Sequence, residues 1–181
     1  MEETSQVIKY LELSDLIEIH RRHLSSEGRE TSFAGVIHNS NSLGYLLQVV
    51  RIGEREGDPY ATLAEKAAVY ACNIITRHVF VDGNKRTGMT AMFWFLNLNG
   101  ADLKGITSKE IVNVALSIAE NKMAFEEFVH WINHRIISTG TFKWHPKSFV
   151  EPRDVGGRRP EPAQAGGRGC GCNLFRTATN K

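Results

Sequence analysis

Cysteine is scarce in this chain, with three residues among 181. Cys72 falls within a predicted helix, while Cys170 and Cys172 form an isolated Cys-x-Cys pair near the end. A low, odd count does not suit a disulfide-bonded secreted scaffold and is typical of proteins in a reducing compartment. A tetrahedral metal site also needs more ligands than this pair provides. We therefore interpret Cys170 and Cys172 as exposed thiols.

Long hydrophobic runs are missing as well, since no apolar stretch approaches the roughly 18 residues expected of a membrane-spanning helix. The first six residues, Met-Glu-Glu-Thr-Ser-Gln, are acidic and polar, whereas a secretory signal is basic and then apolar. We therefore expect a cytoplasmic protein with no membrane partner. The sequence also lacks a Gly-x-x-x-x-Gly-Lys-Ser/Thr loop and a Gly-x-Gly-x-x-Gly turn after a strand, so the common nucleotide-binding folds are not supported.

Proline is rare before residue 138, because four of the five prolines and seven of the sixteen glycines lie after it. That last segment carries eight Lys or Arg and three Asp or Glu, so it is basic although the formal charge of the whole chain is only +2. Such a composition without periodicity predicts a disordered tail. We therefore divide the chain into a folded domain, residues 8–138, and a basic Gly/Pro/Arg-rich tail, residues 139–181.

The tail is the one part whose composition suits contact with nucleic acid. Arginines among glycines can follow a phosphate backbone without sequence preference. Few aromatic residues are available there for base stacking, which favours a solvated linker instead. Nucleic acid is otherwise not an expected partner.

Within the folded domain the apolar residues recur at helical spacing. Helices are predicted over residues 10–24, 42–52, 60–77, 84–99 and 125–138, and over a segment that follows Thr107. Thr107 and Glu110 have the spacing of an N-terminal capping box. Residues 25–40 are rich in small and polar types and predict a loop with a short extended piece at 33–37. Six helices and little strand indicate an all-α domain, a helical bundle.

Chemically useful residues are concentrated in residues 78–88, which read His-Val-Phe-Val-Asp-Gly-Asn-Lys-Arg-Thr-Gly. Val-Phe-Val before Asp-Gly could form a β-hairpin. A hairpin requires a second strand, but the residues that follow have helical periodicity and end at Gly100, the type expected just past a helix. We therefore predict a loop, anchored by a buried Phe80, that leads into a helix N-terminus. Such an N-terminus favours a bound anion such as phosphate.

The residues at the start of this predicted helix suit contact with a chain of phosphates. The backbone N–H groups of Gly83 to Arg86 can point at phosphate oxygens, and the Asn84 amide can donate to the same oxygens. Lys85 and Arg86 can neutralise charge that builds up during transfer. Cations on a first helical turn are more commonly just solvated, so these roles depend on the neighbouring residues.

The two remaining polar residues of the stretch suit metal binding and proton transfer. Asp82 is its only carboxylate, and one carboxylate with substrate phosphates and water is how Mg2+ is usually held. His78, at the end of the preceding helix, can accept a proton from an attacking hydroxyl near neutral pH. A histidine cap and an Asp-Gly turn are the ordinary structural alternatives. The joint occurrence of these residues favours a phosphate-transfer site.

The pattern His-x-Phe-x-Asp-Gly-Asn-Lys-Arg-Thr at residues 78–87 resembles the signature of the Fic/Doc superfamily. It is most similar to the death-on-curing (Doc) branch, the toxins of toxin–antitoxin pairs. The similarity covers about residues 10–135 and includes Tyr-Ala-Thr-Leu-Ala-Glu-Lys-Ala-Ala from residue 60 and Phe-Leu-Asn-Leu-Asn-Gly from residue 95.

This resemblance implies a Fic-type helical fold that transfers a phosphate-containing group from ATP to a protein hydroxyl. It implies that His78 is the general base, that Asp82 binds Mg2+ and that residues 83–86 hold the phosphates. Adenylylating members typically have glycine in place of Lys85 and a second arginine in place of Met89, whereas Doc-like members have the lysine and transfer the γ-phosphate. Phosphoryl transfer is therefore the expected reaction. Adenylyl transfer is the alternative, and a nucleotide- or nucleic-acid-binding module without turnover is a third.

The resemblance also implies partners. The Doc target is a threonine of elongation factor Tu, so translation arrest is the implied consequence. The self-inhibitory Ser/Thr-x-x-x-Glu-Gly/Asn motif of some Fic proteins is not found, because Ser117-Ile-Ala-Glu-Asn121 is one residue short. Inhibition is then expected from a separate small antitoxin whose helix covers the site.

Two other pairs of histidines are candidates for metal binding. His130 and His134 lie four residues apart and would share a helix face, as zinc-binding pairs do. The residues between them lack the glutamate of the zinc-hydrolase pattern, and no third ligand is evident, so we expect no metal there. His20 and His23 are expected to be surface residues.

Overall fold

The computed structural model describes residues 7–26, 31–52 and 58–139. In chain order they form α1 (Leu13–Ser26), a 3-10 turn (Thr31–Phe33), α2 (Ser40–Val49), α3 (Leu63–Thr76), α4 (Asn84–Leu98), β1 (Ala101–Leu103), α5 (Ser108–Ala119), α6 (Phe125–Asn133) and β2 (Ile136–Ser138). The prediction of a six-helix, all-α domain is thus confirmed. The predicted tail and the Cys170/Cys172 pair lie outside the described residues. Within these ranges no helix combines the length and the apolar character needed to cross a bilayer.

Helix α3 is the central element, because ten of its fourteen residues are buried. Its alanine-rich sequence favours the helix and gives it a narrow surface, so α4 and other helices can pack closely around it. A capping box starts the helix: the Thr62 hydroxyl accepts the Glu65 N–H, and the Glu65 carboxylate accepts the Thr62 N–H at 2.8 Å.

Two polar side chains of α3 bond to segments outside it, one that lies between α2 and α3 and one that precedes α1. The buried Lys66 ammonium donates to the Asp58 carboxylate at 2.8 Å and to the Val50 carbonyl at 3.2 Å. The Tyr70 hydroxyl accepts the Leu11 N–H at 3.1 Å. Burial of this ring raises the pKa of Tyr70 far above its usual range. The hydroxyl therefore stays neutral and acts as a fixed anchor for the N-terminal segment.

The contact between α3 and α4 passes through Gly88. A Cβ added to Gly88 would lie 2.9 Å from the Ala71 carbonyl oxygen and 2.8 Å from a side-chain carbon of Ile75. The Ile75 side chain can rotate, but the helix backbone at Ala71 cannot withdraw. Glycine therefore allows the two helices to approach at the point where they flank the motif.

The end of the domain differs from the prediction of one helix over residues 125–138. Helix α6 ends at Asn133, and Ile136–Ser138 pairs in antiparallel fashion with Ala101–Leu103, with Asp102 opposite Ile137. The Lys104 N–H donates to the Arg135 carbonyl at 2.9 Å and continues the ladder. β-Branched residues favour strands, and a neighbouring strand was available to pair with them.

The capping box predicted at Thr107 is half formed. The Thr107 hydroxyl accepts the Glu110 N–H at 3.2 Å. The Glu110 carboxylate accepts hydrogen bonds from the Trp131 ring at 3.1 Å and from Arg135 at 2.7 Å. The glutamate therefore joins the start of α5 to the end of α6.

We expect Gly88→Ala to lower the free energy of unfolding by about 1–3 kcal/mol, because the new methyl group overpacks the α3–α4 contact. Gly44→Ala is the matched control: Gly44 is exposed in α2, and a Cβ there would meet nothing within 4 Å. That change should raise stability by about 0.4–1 kcal/mol, since alanine favours the helix. Urea unfolding measures both. Equal effects of the two substitutions would contradict the close approach at Gly88.

Candidate active site

The motif loop, residues 77–83, connects the end of α3 to the start of α4. The hairpin alternative is wrong, because residues 84–98 are helical. Gly100 follows that helix with a φ of +71°, in the left-handed conformation expected of a residue just past a helix. Because α3 and α4 pack on each other, both ends of the motif loop are held in place.

His78 lies two residues past the last helical residue of α3, as predicted, and its side chain is exposed. Its φ is +47°, in the left-handed region, where glycine is the usual occupant after a helix. Histidine tolerates this region better than most residues, but a non-glycine residue there still costs of order 1 kcal/mol. Backbone strain of this kind is concentrated at functional sites.

The loop is paired with the flanking loop, residues 33–39, which follows α1. Ile37 and Phe80 form an isolated antiparallel bridge. The Val79 carbonyl accepts the N–H groups of His38 at 2.8 Å and of Asn39 at 3.1 Å. The extended piece predicted at residues 33–37 is confirmed only at Ile37, because Phe33 ends the 3-10 turn and residues 34–35 form a turn.

Asn84 fixes the centre of the motif loop. This first residue of α4 is buried, and its side chain accepts the Phe80 N–H at 2.8 Å and donates to the Phe80 carbonyl at 2.7 Å. Phe80 itself is fully buried, which confirms it as the anchor of the loop. The Asn84 amide nitrogen carries two hydrogens, so the bond to Phe80 uses one and leaves one for another acceptor.

His20 and His23 are buried on α1, so the prediction that they are surface residues is wrong. The His20 ring contacts the motif loop through the Asp82 carbonyl at 2.9 Å, and the His23 ring contacts the Thr90 hydroxyl on α4 at 2.8 Å. The signal was present in the sequence, because both histidines fall at helical spacing from the apolar Leu16 and face the same side.

Burial lowers the pKa of His20 below its ordinary value, and the nearby His23 acts in the same direction. The hydrogen bond to the Asp82 carbonyl opposes this shift but contributes less. The neutral ring is therefore favoured beside the motif loop.

Asp82 is an exposed carboxylate at the mouth of the loop, and its Oδ1 accepts the Gly83 N–H at 2.7 Å. The described residues contain no group of three or more His, Cys, Asp or Glu side chains placed to hold a metal ion. Asp82 therefore suits Mg2+ only as a single carboxylate ligand, as expected from the sequence, with substrate oxygens and water as the other ligands. His130 and His134 do share a helix face, with their Nε2 atoms 2.8 Å apart at the surface.

The N-terminus of α4 is built differently from those of α2, α3 and α5. Those three helices are capped by the side chains of Asn39, Thr62 and Thr107, whereas the cap of α4 is Gly83, with a φ of +73° and no side-chain hydrogen bond. No acidic residue lies in its first turn. The first-turn N–H groups therefore have no carboxylate or hydroxyl cap from their own helix.

Lys85 and Arg86 occupy this first turn and are exposed. Cations are unfavourable at a helix N-terminus, where the dipole is positive. The positive end of the dipole and these two cations lie together at one terminus, an arrangement whose electrostatics favour an anion.

The end of α5 adds further charges near this terminus. A hydrogen bond from Lys122 lowers the pKa of Glu120, and the charge of Lys85 acts in the same direction. The segment that resembles a shortened self-inhibitory motif, residues 117–121, thus ends near Lys85 of α4.

Comparison with known proteins agrees with this fold and motif. Residues 10–96 match the model of the Fic/DOC family, and the match includes the whole motif loop and most of α4. Together with the helical fold, this match supports a Fic/Doc-type domain over residues 10–96.

A shorter segment is similar to a particular family member. Over 46 residues the chain is 44% identical to Toxin Doc of Mycolicibacterium smegmatis (strain ATCC 700084 / mc(2)155). The matched segment is 25% of this chain and 35% of that protein. The chain therefore matches about a third of the length of this relative.

We expect Asn84→Ala to lower the free energy of unfolding by about 1–3 kcal/mol, because it leaves the buried N–H and C=O of Phe80 unpaired. Asn97→Ala, also in α4, is the matched control. Its half-buried amide donates to the carbonyls of Phe93 and Ala101 without accepting a backbone N–H. Urea unfolding should show a smaller loss for Asn97→Ala, and a loss as large as that of Asn84→Ala would contradict the anchoring role.

Proposed function

We propose that this domain transfers the γ-phosphoryl group of ATP to a hydroxyl of a target protein, as a Doc-like toxin. The observation that carries the proposal is the doubly cationic N-terminus of α4, which has no side-chain cap and begins six residues after the exposed His78. Phosphoryl transfer requires a cradle for the phosphates, a base for the acceptor hydroxyl and a cation that neutralises charge. The motif loop and the first turn of α4 contain residues suited to each.

The phosphate chain would bind at the α4 N-terminus. Gly83 brings the backbone of the cap close to a ligand without a side chain in between, and the first-turn N–H groups can donate to phosphate oxygens. Lys85 and Arg86 would neutralise the charge of those oxygens. The remaining Asn84 amide hydrogen is a further donor.

Mg2+ would be held by Asp82 together with phosphate oxygens and water, where it would neutralise phosphate charge. The Gly83 N–H donates to one oxygen of this carboxylate at 2.7 Å, which holds the carboxylate beside the start of α4. Asp82→Ala should therefore weaken the dependence of nucleotide binding on Mg2+.

His78 would accept the proton of the acceptor hydroxyl. The hydroxyl oxygen then forms a bond to the γ-phosphorus, the bond from that phosphorus to the β,γ-bridging oxygen breaks, and ADP leaves. The proton remains on the imidazole until water removes it. The left-handed backbone of His78 fits this role, since it turns the side chain out of the helix at the loop.

Two residues favour phosphoryl over adenylyl transfer. Lys85 stands where adenylylating Fic proteins typically have glycine, and its long side chain fills space that a bare backbone would leave open. Met89 stands where those proteins typically have a second arginine, and it is buried at 3% exposure. An apolar side chain inside the core does not contact a phosphate.

The acceptor protein would dock on the flanking loop, whose exposed Phe33 and Val36 lie in the segment that pairs with the motif. A translation factor such as elongation factor Tu is the target suggested by the resemblance, and this implies action in the cytoplasm. A small antitoxin would inhibit the domain by covering the site, as the name of the related Toxin Doc suggests.

We expect Lys85→Ala to weaken Mg·ATP binding about tenfold or more, since a charge-assisted hydrogen bond to phosphate is lost. Stability should not fall, because a cation is removed from the positive end of a helix dipole. Lys109→Ala is the matched control, because Lys109 holds the same second position in α5, where Thr107 caps the helix. Calorimetric titration with Mg·ATP measures the affinities. Equal affinity of wild type and Lys85→Ala would contradict the phosphate site.

The reaction is tested by incubation of the protein with a bacterial lysate, Mg2+ and ATP labelled on the γ- or the α-phosphate. We expect label in a target protein from the γ-position alone. His78→Ala should remove the label and leave ATP binding and the fold intact, whereas His130→Ala, which changes an exposed histidine on α6, should keep it. His78→Gly should also lose transfer, while thermal unfolding shows stability raised by about 1 kcal/mol as the strain is relieved.

Other results would overturn parts of this proposal. Label from the α-position would mean adenylyl transfer. ATP binding with no label from either position would mean a binding module without turnover. Full labelling by His78→Ala would rule out His78 as the base.

A further inference from the structure

The imidazole of His20 connects the flanking loop to the motif loop. The side chain is completely buried on α1. Its Nδ1 accepts the Gly35 N–H at 2.9 Å, and its Nε2 lies 2.9 Å from the Asp82 carbonyl oxygen. One ring therefore contacts a backbone group of each loop.

The chemistry of the two partners fixes the state of the ring. A backbone N–H only donates and a carbonyl only accepts, so Nδ1 of His20 must be the acceptor and Nε2 must carry the proton. A neutral imidazole with this one tautomer satisfies both partners at once. Gly35 suits the contact, since its φ of +80° is left-handed and a Cβ there would lie 2.8 Å from Arg21.

The His20 ring also makes a stacking contact through its face. His20 stacks on Phe80 with the ring centres 4.1 Å apart and the planes 8° from parallel. A Cβ added to Gly83 would lie 3.6 Å from Cδ2 and Nε2 of the ring. His20 thus contacts the buried anchor of the motif loop and the backbone of the proposed Mg2+ ligand, and it lies beside the cap of α4.

We propose that His20 is a positioning residue that holds the flanking loop and the motif loop at a fixed separation, and so aligns an acceptor hydroxyl with the phosphate site. The proposal rests on the proposed transfer, because only a two-substrate reaction requires this alignment. Reacting atoms must be held about 3–3.5 Å apart, and a displacement of about 1 Å can cost on the order of a hundredfold in rate. His20 touches neither substrate and acts through Gly35 and Asp82.

Three substitutions separate the parts of this contact. His20→Phe keeps the ring and its stacking but removes both hydrogen bonds. His20→Asn retains an acceptor near the Nδ1 position and loses the reach to Asp82, whereas His20→Gln retains a donor near the Nε2 position and loses the acceptor for Gly35. His23→Phe is the matched control, since it removes a buried imidazole from the same helix whose partner is Thr90 on α4.

Amide hydrogen exchange is the first measurement, and it does not depend on activity. We expect His20→Phe to speed exchange in residues 34–39 and in residues 79–84 together. His20→Asn should affect mainly residues 79–84, and His20→Gln mainly residues 34–39. His23→Phe, compared with His20→Phe under conditions of equal stability, should not speed exchange selectively in either segment. Uniform acceleration over the whole domain, or the same pattern in His23→Phe, would overturn the proposal.

Steady-state labelling of the lysate target is the second measurement. We expect His20→Phe to lower kcat at least tenfold and to change KM for ATP less than threefold, since Asn84 and the α3–α4 contact still hold the phosphate site. His20→Asn and His20→Gln should retain part of the rate. An unchanged kcat in His20→Phe would overturn the proposal. If the wild-type protein transfers no label, the proposed function fails by itself, and the exchange pattern alone decides whether His20 holds the loops together.

Discussion

The site depends on the close packing of α3 against α4. Gly88 lies against the backbone of Ala71, so the two helices approach at the point where the chain turns from one to the other. His78 follows the end of α3, and Gly83 caps α4. Because both residues belong to helix ends, the packing of the helices sets the distance between the proposed base and the phosphate site. The loop between them has only to span a fixed gap.

The motif loop is held in place by hydrogen bonds from its backbone groups to buried side chains and to the flanking loop. Asn84 pairs with both polar groups of Phe80, and His20 bonds to the carbonyl of Asp82. The same stretch contains features that are unfavourable for folding, such as the left-handed His78 and the cations on an uncapped helix end. Local features that oppose folding within an otherwise well-anchored loop are typical of functional sites, where preorganised groups stabilise developing charge.

Helical periodicity was enough to predict most of the fold, because an amphipathic helix records its buried face in its own sequence. It failed at residues 136–138, where pairing with a strand more than thirty residues earlier overrides the local pattern. It was also incomplete at Glu110, whose carboxylate bonds to α6 and not to its own cap. At His20 and His23 the helical spacing indicates burial, whereas the polarity of histidine indicates the surface, and the structure follows the spacing.

The sequence by itself determined the six helices and the order of the motif residues. It also determined that two cations follow Gly83, a cap residue without a side chain. These features depend on neighbours within a few residues. The tertiary structure decided which polar groups meet. His20 and Asp82 are 62 positions apart, and their contact follows from the packing of α1 against α4. The pairing of Ile37 with Phe80 likewise joins distant segments. Such contacts have no local signature, since burial and long-range hydrogen bonding arise only when separate elements pack together.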